Sequence, residues 1–203
     1  ILRLRMLFLI CRVLYHLTKI YFSICNMAAR FLETKRLYLR EFGLNDFAAV
    51  HEYGSIPDFS QYELWGPNTE PHSMQFIEEA IKKSLQIPRL EYELAIILKD
   101  TDNLIGGAHI SLTTNKNDVA EIGYAINPRF QNKGYATEIA KALIKYGFEH
   151  FNCEVIYATC DTRNVASYKV LEKCGMQRVE TIIGNRKIRG KIYDSYRYEI
   201  SRE

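Results

Sequence analysis

Hydrophobic positions along this chain change their period several times, and each change marks an element. In Val119–Ile126 the residues Ala120, Ile122, Tyr124 and Ile126 recur at period two, which predicts a strand. In Tyr135–Phe151 the stripe Ala136, Ala140, Leu143, Gly147 and Phe151 faces away from Glu138, Lys141, Lys145 and Glu149, which predicts an amphipathic helix. Leu37–Glu41 reads as an earlier strand, and Asn45 or Asp46 caps a short helix through about Tyr53. Ser73 caps a second helix to about Leu85, with Met74, Ile77, Ile81 and Leu85 on one face and Glu78/Lys82 and Glu79/Lys83 in favourable ion-pair order. Pro88 stops that helix. Tyr92–Leu98 and Leu104–Leu112 form a hairpin about Asp100-Thr101-Asp102-Asn103, and Thr113–Asp118 is a polar turn. Val155–Cys160 is a strand, and Asn164 caps a helix that ends at Gly175. Gln177–Ile183 and Lys191–Ile200 form a last hairpin around Gly184-Asn185. The order predicts a mixed α/β chain of the α+β class: strand, two helices, three strands, helix, strand, helix, two strands.

The junction Gln131-Asn132-Lys133-Gly134-Tyr135-Ala136-Thr137 joins the alternating strand to the long helix. A helix start leaves backbone N–H groups unpaired at the positive end of the helix dipole, a setting that suits a phosphate or pyrophosphate. Gly134 lets a ligand approach the backbone, and Ala136 avoids crowding there. Lys133 either adds charge to a phosphate or is a solvated loop lysine. No Gly-Lys-Ser/Thr follows at the spacing of a Walker loop.

Composition adds three limits. The chain has 203 residues, enough for one domain with a full core, with 47% hydrophobic and 25% charged residues. The net charge of +3 is local: residues 1–26 carry Arg3, Arg5, Arg12 and Lys19 and no acid, so residues 27–203 carry −1. A near-neutral body removes the electrostatic support for nucleic-acid binding. Cys11, Cys25, Cys153, Cys160 and Cys174 show no metal-ligand spacing, so no metal is expected, and reduced thiols point to a cytoplasmic protein. Residues 1–26 are basic and hydrophobic, but Arg12, His16 and Lys19 interrupt the run before about 18 uncharged residues accumulate. They read as an extension upstream of a natural start at Met27, with a targeting or membrane-surface segment as the alternative. The body, 27–203, is expected to need no membrane.

Gln131, Gly134 and Ala136 fill the three defined positions of the acetyl-coenzyme A signature of GNAT N-acetyltransferases: Gln or Arg, two residues, Gly, one residue, Gly or Ala. Asn164-Val165-Ala166-Ser167 and Leu171-Glu172-Lys173-Cys174-Gly175-Met176 resemble a second family segment, with Met176 in place of its usual Phe. The element order over residues 34–200 is similar to the family's. Thr34-Lys35-Arg36-Leu37-Tyr38-Leu39-Arg40, Trp65-Gly66-Pro67 and Glu121-Ile122-Gly123-Tyr124 resemble the RimJ/RimL branch, which acetylates ribosomal-protein N-termini. The resemblance implies the GNAT fold, a central twisted, mostly antiparallel sheet flanked by helices, with acetyl-coenzyme A as co-substrate. It also implies an amine acceptor: a protein N-terminal α-amine first, a polyamine or aminoglycoside second. Homodimers are common in that branch. A coenzyme-binding module without turnover is the rival from another class.

Under that resemblance, Gln131, Asn132, Lys133, Gly134, Tyr135, Ala136 and Thr137 hold the coenzyme's phosphates, and the backbone of Tyr124, Ala125 and Ile126 pairs with its pantetheine arm. Asn164 both caps a helix and contacts the coenzyme. An amine arrives largely protonated, so a base is needed. Glu121 is the first candidate, although alternation sets it opposite Tyr124, where a surface acid also fits; His109 is the second. Ser167, on the inward face with Val170, Leu171 and Cys174, is the candidate donor to the leaving thiolate, ahead of Tyr168, which projects about 100° away. The alternative for Ser167 is a bond to a carbonyl one turn earlier. Phe59, Tyr62 and Trp65, with Glu63, are candidate acceptor contacts between the first two helices, or simply a packed loop around Trp65.

Overall fold

The computed structural model describes residues 30–113 and 118–202. The basic segment 1–26 and most of the polar turn after Thr113 lie outside the described residues. β1 (Leu32–Glu33) and β2 (Leu37–Glu41) are followed by α1 (Phe47–Gly54) and α2 (Glu70–Ser84). Then come β3 (Glu91–Leu98), β4 (Leu104–Leu112), β5 (Val119–Ile126), α3 (Tyr135–His150), β6 (Val155–Asp161), α4 (Val165–Lys173), β7 (Gln177–Ile188) and β8 (Lys191–Ser201). The strands form one sheet in the order β1-β2-β3-β4-β5-β6-β8-β7. Every neighbouring pair is antiparallel except β5–β6, which the crossover helix α3 forces to be parallel. No described helix is long and apolar enough to cross a membrane.

Each face of the sheet buries one helix pair. Val50 and Tyr53 of α1 and Ile77 and Ala80 of α2 pack on Tyr38, Ala95 and Ile97. On the opposite face, a Cβ at Gly147 of α3 would meet Ile156 Cδ1 at 2.7 Å and Ile110 Cδ1 at 3.3 Å. The glycine in the helical stripe is therefore what lets α3 lie close on the sheet. Fully buried Leu39, Ile96, Ile110, Ile122, Leu143 and Ile156 show that the alternation of the strands and the stripe of the helix meet in one core.

Three local expectations are corrected. α2 begins at Glu70 behind Thr69, one turn before Ser73, because Pro71 presets the helical φ in its first turn. Ser73 is instead fully buried, its Oγ 3.0 Å from His51 Nδ1. Asp46 makes no side-chain cap to α1; its carboxylate accepts from both Arg40 Nη atoms at 2.7 and 2.8 Å and from Gly43 N. The last hairpin turns at Arg189-Gly190, both at positive φ (48° and 80°), as a two-residue turn requires. Gly184 sits in an irregular stretch of β7 where the register shifts, and Asp194 Oδ1 accepts its N–H at 2.7 Å, which lets the strand run on.

Candidate active site

β5 and β6 pair over only three positions, Val119↔Val155, Ala120↔Ile156 and Glu121↔Tyr157. Beyond these the strands splay, and a gap opens between Tyr124–Ile126 and Ala158–Cys160. The polarity of that gap follows from the β4–β5 ladder. Thr113 N donates to Val119 O and Asn127 N to Ile105 O, so odd-numbered residues of β5 spend their backbone groups on β4. Tyr124 and Ile126 therefore turn their N–H groups toward the gap, and Ala125 does not. An extended chain entering the gap meets a strand edge that is one partner short.

α3 points its N-terminus at the same end. Gly134 sits at φ 78° before the first turn and offers no side-chain cap. The first helical amides, Tyr135, Ala136 and Thr137, precede Glu138 N, which is the first to bond back, to Gly134 O at 3.1 Å. The Gln131 amide does not face outward; its Nε2 donates to Ile126 O at 2.9 Å and ties the loop to the strand. Asn132 holds φ 61°, and Lys133 Nζ lies 5.4 Å from the Phe130 ring. Arg36, absent from the sequence-based set, braces the loop. Its Nη1 donates to Lys133 O at 2.9 Å, and its guanidinium covers Tyr135 at 4.5 Å. Glu138 holds Arg36 in turn; burial raises this carboxyl, but bonds from Thr34 and Arg36 outweigh burial and leave it below its ordinary range.

α4 closes the other side. Asn164 Oδ1 accepts from Ser167 N at 3.1 Å, the expected cap, and Asn164 also lines the gap. The Tyr124 hydroxyl donates to Ser167 O at 3.2 Å, and burial pushes this phenol up. Burial raises the Cys160 thiol, which lines the same gap as Ser167, to about 11. Tyr168 turns away and packs edge-on against Tyr196, with centroids 6.0 Å apart.

The gap continues into a cavity of about 460 Å³. One wall is aromatic: Phe59 and Trp65 line it, with Trp65 5.2 Å from Phe76 and Phe59 5.1 Å from Tyr53. Tyr62 turns its ring to Arg163 at 5.4 Å and gives its carbonyl to Arg186 Nη2 at 2.9 Å. The facing wall is ionisable. Glu121 accepts from the hydroxyls of Tyr157 and Thr159, each at 3.3 Å. His109 and Glu93 stand beside it on β4 and β3. Burial pushes Glu93 up against the pull of His109, and pushes Glu63 up against the pull of Arg186, whose Nη2 is 3.7 Å from Glu63 Oε2. Arg186 Nε is buried without a hydrogen-bond partner among the described residues. Asp161 is fully buried in its side chain; burial raises it, but the fork of Arg163 at 2.7 and 2.8 Å holds it below its ordinary range.

The structure thus brings Glu121, Tyr124, Asn164, Ser167, Phe59 and Trp65 to one space, with the 131–137 loop at its end. Sequence reasoning missed Arg36, Glu93 and Arg186. Glu93 carried one signal, an acid inside an otherwise apolar strand; Arg186 carried none, because its place depends on where the last hairpin turns.

Residues 36–177 match the family model described as "Acetyltransferase (GNAT) domain". The chain is 38% identical over 148 residues to the uncharacterized N-acetyltransferase YnaD of Bacillus subtilis (strain 168), covering 72% of this chain and 82% of that protein. A GNAT-family acetyltransferase structure from Bacillus anthracis superposes with a TM-score of 0.74 at 32% identity, covering 84% of this chain and 97% of that one. A structure titled RimL, ribosomal L7/L12 α-N-protein acetyltransferase in complex with coenzyme A, shares the fold at 17% identity (TM-score 0.72, 83% of this chain and 95% of that one). A splayed parallel strand pair that opens beside a glycine-started helix, inside a domain matched over most of its length, makes this chain a member of the GNAT family of acetyl-coenzyme A-dependent acetyltransferases.

Proposed function

We propose that the chain transfers the acetyl group of acetyl-coenzyme A to a protein N-terminal α-amine of the ribosomal-protein type, by direct attack with both substrates bound. The observation that carries the binding half is the β5–β6 splay, where the amides of Tyr124 and Ile126 open onto the gap beside the start of α3. Tyr135, Ala136 and Thr137 offer amides to a pyrophosphate, and Gly134 leaves room for it. Asn132, Lys133 and the tie made by Gln131 shape that loop, and Asn164 flanks the gap from α4. Bound there, the thioester supplies the acetyl group, and its sulfur leaves as a thiol once the C–N bond has formed and the C–S bond has broken.

The chain's own residues supply the rest. An amide of Tyr124 or Ile126 stabilises negative charge on the carbonyl oxygen. Ser167 gives its hydroxyl proton to the departing sulfur and regains one from solvent. Glu121 presents a carboxylate that draws in the ammonium, and removal of its proton falls to Glu121 or to His109 on the same face. Phe59 and Trp65 cover the apolar side of the acceptor, while Tyr62, with its ring on Arg163, helps hold the loop that carries them. An α-amine, with a reference pKa near ~8, loses its proton more readily at neutral pH than a lysine near ~10. The carboxylates Glu93 and Glu121 in one cavity support a second reading, a small polyamine acceptor.

Thermal unfolding with and without acetyl-coenzyme A tests the binding half. Ligand at about 100 times its dissociation constant stabilises by roughly 2.7 kcal/mol. Acetylation of ribosomal-protein N-terminal peptides against spermidine then separates the acceptors; no shift at millimolar coenzyme refutes the enzymatic reading.

A further inference from the structure

We infer that His109 takes the proton from the acceptor ammonium, that Glu93 is the positioning residue behind it, and that the missing side chain at Gly123 is the seat that holds the imidazole at the gap. The inference rests on the acetyltransferase reading above and assigns a choice which that reading leaves open.

The three residues lie side by side across three adjacent strands, Glu93↔His109 and His109↔Gly123. Leu112 N donates to Leu90 O, so even-numbered residues of β4 carry the ladder to β3. Glu93 and His109 are therefore a non-hydrogen-bonded pair, the kind that brings facing side chains closest, at about 4.5 Å between Cα atoms. On the other side, a Cβ at Gly123 would lie 2.1 Å from His109 Cε1, 2.7 Å from Nδ1 and 3.0 Å from Nε2. The imidazole thus occupies the volume that a side chain at 123 would fill. Both ring nitrogens lie against β5 one residue from Tyr124, whose N–H opens into the gap.

Glu121 is placed for a different task. Its two oxygens each accept a hydroxyl, from Tyr157 and Thr159, so the lone pairs that would take a proton are already engaged. A carboxylate tied to two hydroxyls in this way is placed to attract an ammonium into the cavity. The ring of His109, by contrast, makes no hydrogen bond among the described residues and faces the cavity. The groups around it are Glu93 from β3, Glu121 from β5 and the Tyr53 hydroxyl from α1. From α2, Lys83 is held by Glu91 at 2.6 Å. Two carboxylates thus stand beside the ring, and two other charged groups of the cavity, Arg186 and Glu63, face each other at 3.7 Å.

The step is a single proton transfer. One N–H bond of the ammonium breaks, its electron pair stays on the nitrogen for attack, and the proton moves to a ring nitrogen of neutral His109. The imidazolium faces Glu93 until the proton passes to solvent.

The test uses the full chain, with spermidine and a peptide bearing a free N-terminus as acceptors. His109→Gln is expected to lower kcat by about 100-fold or more while acetyl-coenzyme A still raises the unfolding temperature. Added imidazole restores turnover to His109→Ala. Glu93→Gln moves the acid limb of kcat/KM to lower pH, because a neutral amide no longer holds the imidazolium. Turnover of His109→Gln within about threefold of the wild type, or an unmoved acid limb in Glu93→Gln, overturns the inference while leaving the acetyltransferase reading intact. A wild type that neither binds acetyl-coenzyme A nor acetylates either probe overturns that reading and this inference with it.

Discussion

At the scale of single residues, two glycines carry more of the site than most side chains do. A methyl group at Gly123 cannot coexist with the present imidazole, since the atom that would fill the space lies 2.1 Å away. Gly123→Ala is therefore expected to expel the ring and cut kcat, with the shift produced by acetyl-coenzyme A preserved; kinetics and thermal unfolding on the same sample check it. Gly134 acts through its backbone. Its φ of 78° costs another residue about 1–2 kcal/mol, and a carboxylate there repels phosphate. Gly134→Glu is expected to abolish coenzyme stabilisation in the same assay, with only that modest loss of intrinsic stability.

Elements act by fixing one another's ends. The start of α3 is held by Glu138, whose Oε1 accepts from Thr34 Oγ1 at 2.6 Å and Arg36 N at 2.8 Å while Oε2 accepts from Arg36 Nε at 2.7 Å. The folded carboxyl is held below its ordinary range, so it binds protons less readily than in the unfolded chain. Its contribution is complete above the unfolded pKa near ~4.3 and is lost as pH falls through the lower folded value. Glu138→Gln is expected to lower the unfolding temperature at pH 7 and to flatten its fall below about pH 4; melting curves across pH decide this. The start of α4 presents Ser167 to the gap while its Asn164 cap satisfies the helix. Ser167→Ala should reduce turnover with little change in coenzyme affinity, and equal turnover in steady-state kinetics removes Ser167 from the mechanism.

Across the whole molecule, the last hairpin straps the loop between α1 and α2. Arg186 Nη2 donates to Tyr62 O at 2.9 Å, and Arg189 Nη2 donates to Ser60 Oγ at 2.5 Å and Pro57 O at 3.3 Å. Arg163 lies between the rings of Tyr62 and Tyr193, 5.4 and 3.4 Å from their centroids, while it neutralises Asp161. These contacts join segments more than 100 residues apart, from Pro57 to Arg189, and set the height of the cavity's aromatic wall. Arg189→Ala is expected to raise the acceptor KM several-fold with little effect on the KM for acetyl-coenzyme A, because on the proposed reading the loop serves the acceptor. Initial-rate kinetics with each substrate varied will show which KM moves.

Much of this design was legible in the chain itself. Period-two and helical patterns fix the face each side chain takes, so strands β2 to β6 and helices α3 and α4 were evident, and with them the junction at 131–137. Local chemistry placed the cap at Asn164, because a side-chain oxygen and an amide three residues on need no distant partner. Where two local signals competed, the reading failed: Ser73 looked like a cap until Pro71 started the helix earlier, and Gly184-Asn185 looked like a turn until Asp194 bonded Gly184 N. Only the tertiary structure decided what depends on residues far apart in sequence. The splay of β5 from β6, the seat of His109 over Gly123, the pairing of Glu93 with that histidine and the ties from Arg36 and Arg186 all arise from register between strands and from packing across them. A one-dimensional pattern records which way a residue faces; it does not record which residue it will face, because that is set by the pairing of whole elements.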